Sequence, residues 1–139
     1  MQYLELKKLI ETTLQSHDAK GNYHFQQSLR KCTDINALEK LAGEFFGEPG
    51  ITIPIWQQIL KFRPNFDHGW IQLGWGYYLH GDDKLARECL GKIKMDQVDG
   101  LLLLGALEKS LTKQLKIYER VLVLDPENRV AKASLQRLR

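Results

Sequence analysis

Residues 67–80 read DHGWIQLGWGYYLH, and the chain then turns at Gly81-Asp82-Asp83. Three glycines, Gly69, Gly74 and Gly76, stand among two tryptophans and two tyrosines. Inside a helix, glycine costs about 1 kcal/mol against alanine. A helix that keeps Gly74 must recover that in packing, where a partner helix comes too close for a side chain. Ala86, early in the next segment, is the small residue placed to face it, with Trp70 and Tyr77 flanking the contact. Trp70, Leu73 and Tyr77 share one face of this helix, while Ile71, Trp75, Tyr78 and Leu79 lie on another. A helix that is apolar nearly all round has to be buried on more than one side. The run from Val98 to Leu107 has the same character.

Outward from this segment the chain reads as helix throughout, with no sustained strand-like alternation. About nine short helices are expected, over 1–16, 23–32, 34–47, 54–62, 67–80, 84–94, 97–109, 112–124 and 127–138. Asp34, Asp67 and Asp96 are placed to cap helices with a side-chain oxygen. Pro54 suits a first helical turn, where its missing N–H would be unpaired anyway. Pro64 and Pro126 close helices, and the last helix is expected to turn Val130, Ala131, Leu135 and Leu138 inward. Short connections make neighbouring helices antiparallel.

The helices repeat. IWQQILKFRP at 55–64 and IYERVLVLDP at 117–126 have one shape, with an aromatic residue, Trp56 or Tyr118, eight positions before the proline. Between them Trp70, Leu73, Gly74 and Tyr77 spell W-x2-L-G-x2-Y, followed by Gly81 at the turn, Ala86, and Leu90 four residues on. This spacing resembles the tetratricopeptide repeat. The likeness is best over 67–94 and looser over 33–66, where Asn36 and Lys40 stand for tryptophan and glycine. It is looser too over 95–128, where Val98, Leu102 and Gln114 stand for tryptophan, glycine and alanine. Residues 1–32 are a helical pair or a degenerate repeat, and 127–139 a capping helix.

The resemblance implies an all-α, right-handed superhelix of stacked helix-turn-helix hairpins forming one structural domain. It also implies a concave groove lined by the first helix of each unit. Carried over position by position, that groove takes Ala37, Leu41, Glu44 and Phe45, then His68, Ile71, Trp75, Tyr78 and Leu79, then Asp99, Leu103, Ala106 and Leu107. Some members of the family clamp an acidic C-terminal peptide with lysines and asparagines. Leu41, Trp75 and Leu103 occupy those places here, so that clamp is not expected. A mostly apolar groove fits a helix or extended segment of another protein, with Trp75 and Tyr78 as anchors. The alternative is that the chain fills its own groove, with the helix over 1–16 or with a second copy, as a homodimer.

Composition narrows the class. The chain has 139 residues, with 43% hydrophobic and 27% charged, which argues for a folded core rather than disorder. Net charge is +3. The longest apolar run, 101–107, is far short of the roughly 20 residues that span a bilayer. The N-terminus lacks the apolar segment of a secretory signal, so a cytoplasmic protein is expected. Cys32 and Cys89 are far apart and are expected to be reduced and packed like small hydrophobes. Four histidines show no metal spacing, and no phosphate loop or nucleophile triad is present, so neither an enzyme nor a cofactor is expected. Lys109, Lys113, Lys116 and Arg120 form a basic stripe, and residues 109–139 carry eight basic against three acidic residues. Most such stripes are solvated outer faces. An acidic partner or nucleic acid is the weaker alternative, and no aromatics interleave as a single-strand binder requires.

Overall fold

The computed structural model describes residues 2–16, 19–94 and 96–139. Met1, His17, Asp18 and Met95 lie outside the described residues. Among the described residues the fold is all α, with nine helices and no strand. They are α1 Gln2–Ser16, α2 Ala19–Lys31, α3 Ile35–Glu44, α4 Pro49–Phe62, α5 Asp67–Leu79, α6 Asp83–Leu90, α7 Val98–Leu107, α8 Leu111–Leu124 and α9 Arg129–Leu138. By its internal contacts the chain divides into two compact units, Met1–Gly69 and Trp70–Arg139, with the division inside α5.

In the first unit α1 packs on α2 and α3 on α4, while α1 also meets α3 and α2 meets α4. Two hairpins thus stack, first helix on first and second on second. Asp34 caps α3 as expected, its carboxylate accepting from the Ala37 N–H at 3.1 Å. Gln58 is buried on α4 and donates to the Cys32 and Arg30 carbonyls at 3.0 and 3.3 Å. It thereby satisfies orphan acceptors at the C-terminal end of α2. Pro49, not Pro54, opens α4, and Pro54 lies inside the helix. The residue four back from Pro54, where its ring would crowd the backbone, is the exposed Gly50.

In the second unit α6 packs on α7, α7 on α8 and α8 on α9. Gly74 is closely packed, but chiefly by Leu103 of α7 rather than by Ala86, the counterpart expected. A Cβ there would sit 2.7 Å from Leu103 Cδ2, 3.4 Å from Cys89 Cβ and 3.5 Å from the Ala86 carbonyl oxygen. Trp70 and Tyr77 beside it are half-buried, and Leu73 is buried. The turn at Gly81 is a left-handed helix stop. Gly81 has φ +88°, its N–H donates to Tyr78 O at 3.0 Å, and the Asp82 N–H donates to Tyr77 O at 2.8 Å.

A second close approach was not expected. Gly105, rather than the position of Leu102, meets the α7–α8 partner, where a Cβ would lie 2.7–3.0 Å from the Tyr118 ring and hydroxyl. Leu102 instead packs, half-buried, against the cluster of Leu101, Tyr118, Val121, Ala131 and Leu135. The small residue of α7 at this contact thus lies three positions beyond the one the proline spacing suggested. Gln114, standing where alanine was expected, donates to the Gly105 carbonyl at 3.0 Å. Arg87 from α6 donates to the Leu107 carbonyl at 3.0 Å. The last carbonyls of α7 are thus closed by side chains from both neighbours.

Three other boundaries differ from expectation. Asp67 is the first residue of α5 rather than its cap. Asp96 does not cap α7; it takes φ +65°, a conformation aspartate tolerates better than most residues, and Gln97 precedes the helix instead. On α9 the buried stripe is Ala131, Ser134 and Leu135, which leaves Val130 exposed.

The glycine contacts make opposite predictions. Gly105→Ala should destabilise the chain by about 1–3 kcal/mol in urea unfolding, because the buried Tyr118 ring cannot step aside. Gly43→Ala, in α3 with nothing near its Cβ position, should stabilise it by about 0.5–1 kcal/mol.

Candidate functional site

In the second unit the residues expected to line a groove divide by burial. Leu103 is 0% exposed and Ile71 2%. Leu103 fills the space left by Gly74, and Ile71 Cδ1 comes within 3.8 Å of a Cβ placed on Gly100. Both are core between helices, as is Leu107, and have no surface for a partner. Trp75 and Tyr78 are half-buried and pack edge-on, with ring centroids 5.6 Å apart at 84°. Both rest on the small cluster of Ala86, Leu103 and Leu107, together with Tyr77 and Leu90. Leu79, one residue beyond, is 47% exposed. Ala106 is half-buried, and Asp99 is exposed in the first turn of α7, where its charge suits the helix dipole. The structure thus brings Trp75, Tyr78 and Leu79 together as an aromatic and aliphatic face standing on a rigid core.

The first unit treats its share in the same way. Leu41 is fully buried, Ala37 is buried, and Phe45 is half-buried as the C-cap of α3. Glu44 is engaged across α1, accepting from the Tyr3 hydroxyl and pairing with Lys7 at 3.1 Å, while Lys40 stands 4.4 Å over the Tyr3 ring. His68 is exposed and packs edge-on against the buried Trp56, with centroids 5.6 Å apart. That contact is structural and gives the imidazole no neighbouring ligand set.

No family model matches the chain, and a search of the curated proteins finds no match. Among the described residues, no three His, Cys, Asp or Glu side chains gather where a metal could bind, and no helix is long and apolar enough to cross a membrane.

The basic stripe is interrupted. Lys109 precedes α8 and is not part of it. Arg120 is tied to Asp96 by two hydrogen bonds of 3.2 and 2.8 Å. Lys113 and Lys116 remain exposed on α8. One feature escaped the sequence altogether. A pocket of ≈ 220 Å³ lies beside the α6–α7 connection, lined mainly by Leu90, Ile93, Gly100, Leu101 and Leu104. Its origin is the shortness of α6, which ends at Leu90 where the apolar pattern had suggested Lys94.

Two measurements check these environments. Burial pushes the Cys89 thiol up to about 11 and raises that of Cys32, so neither should alkylate at pH 8 in the native chain, and both should in urea. The Arg120 hydrogen bonds hold the Asp96 carboxyl below its ordinary value. That ion pair is therefore complete above the ordinary carboxylate range and is lost as pH falls through the lowered value. A carboxyl NMR titration should place Asp96 low, and Arg120→Gln should return it to the usual range.

Proposed function

We propose that this chain is a helical-hairpin repeat protein, similar to the tetratricopeptide-repeat family, that binds a segment of another protein on the α5 face carrying Trp75, Tyr78 and Leu79. It would serve as an adaptor or scaffold rather than an enzyme. The W-x2-L-G-x2-Y spacing and the Gly74 close approach support the family reading. The observation that carries the functional one is the edge-on Trp75–Tyr78 pair with Leu79 exposed beside it. Aromatic side chains fixed by packing below and open above lose little entropy on binding, and such anchors dominate interface energies. A partner helix or extended segment placing an apolar side chain on that pair fits this chemistry.

A second copy is the alternative occupant of the same face. The first helix is a poorer candidate, since α1 already packs on α2 and α3 and buries Leu6 and Ile10. Trp75 and Tyr78 support core residues, so the clean probe is the exposed Leu79. Affinity capture from cell extract with the whole chain as bait should retain a protein that Leu79→Asp releases by roughly ten-fold or more, with the melting temperature unchanged. Equal retention by the variant removes this reading. A concentration-dependent dimer in light scattering that Leu79→Asp dissolves would assign the face to self-association instead.

A further inference from the structure

We propose that the pocket beside the α6–α7 connection is a binding site for a small, uncharged, apolar molecule. Its volume is ≈ 220 Å³, and Leu90, Ile93, Gly100, Leu101 and Leu104 form its walls. Gly100 and Leu101 are buried, while Leu90, Ile93 and Leu104 are half-buried. The site lies apart from the proposed docking face, since none of Trp75, Tyr78 and Leu79 lines it.

The walls are built by the fold rather than by a ligand. Helix α6 ends at Leu90, and the Gly91 N–H donates to both the Arg87 and Glu88 carbonyls at 3.1 Å. The Lys92 N–H then donates to Cys89 O at 3.0 Å and the Ile93 N–H to Leu90 O at 3.4 Å. This turn lays Ile93 against α7, where a Cβ on Gly100 would sit 2.8 Å from Ile93 Cδ1. Glycine at position 100 is thus what lets this wall form. At the far end of the connection, Asp96 is held to Arg120 of α8 by two hydrogen bonds. A site fixed in advance loses little conformational freedom when a ligand enters.

The chemistry of the walls selects the occupant. Their side chains are all aliphatic, and the polar groups at the rim are engaged within the fold. Gln97 donates to the Lys94 carbonyl at 3.0 Å, and the Asp96 carboxylate accepts from Arg120. Among the described residues no buried side-chain nitrogen or oxygen lacks a hydrogen bond, so no orphaned group calls for an ordered water or an ionic ligand. A hollow of this kind leaves its lining short of dispersion contacts, which a hydrocarbon restores. An apolar cavity of about 150 Å³ already takes benzene, so ≈ 220 Å³ has room for about eight or nine carbon atoms. That is one aromatic ring with a short tail, or the end of an acyl chain. A partner protein would place only a single side chain in this volume.

The test is a methyl NMR titration of the whole chain with propylbenzene, methyl octanoate and octanoate as probes. The expected result is saturable shifts of the Leu90, Ile93, Leu101 and Leu104 methyls with the two neutral probes. Tighter binding of propylbenzene assigns a ring-bearing ligand, and tighter binding of methyl octanoate an acyl chain. Leu104→Phe, which fills the space, should weaken binding roughly ten-fold or more. Leu90→Phe is a second filler, and circular dichroism checks that each variant keeps its helices. Absence of saturation with both neutral probes, tighter binding of octanoate than of its methyl ester, or undiminished binding by a folded filler variant would each overturn the proposal.

Discussion

Helix α7 has almost no polar surface of its own, and the second unit is arranged around covering it. Five of its ten residues are buried, two of them glycines. Each side is closed by contacts that depend on a missing side chain. Leu103 reaches into the space at Gly74, Ile93 into that at Gly100, and the Tyr118 ring lies against Gly105. Because protein interiors are packed as densely as organic crystals, these contacts set the spacing of the helices they join. Everything the unit presents to solvent, the Trp75–Tyr78 pair included, is positioned by that spacing.

The same constraint separates scaffold from surface. Residues that a family analogy assigns to a binding groove, Leu41, Ile71 and Leu103, are needed in the core and are fully or almost fully buried. What remains available on α5 is smaller: two rings held from below and one exposed leucine. In the proposed reading, an interface on such a patch draws its energy from a few anchors.

Helix positions and the Gly74 contact were legible because they depend on local signals: period, caps and one glycine in a fixed frame. Asp34 and Gly81 behave as their residue types dictate. Which residue of α7 meets α8 was not legible, because the two prolines pointed to Leu102 while the Tyr118 ring lies against Gly105. Asp96 failed as a cap for a similar reason. Its carboxylate had a distant competitor, Arg120, whose two hydrogen bonds outweigh one N–H of a helix end. Burial was the least legible property of the candidate site. In a helix that is apolar all round, sequence does not say which stripe faces a neighbouring helix and which faces water.

The carbonyl ends of α7 have a further implication for how the polypeptide is made. Leu107 is closed by Arg87 from before it and Gly105 by Gln114 from after it, so the second closure is not available while α8 is still inside the ribosome. Until then the segment 98–107 is a largely apolar stretch whose Gly105 carbonyl lacks its side-chain partner. Completion of α8 supplies that partner, together with the apolar cover of Tyr118 and Val121.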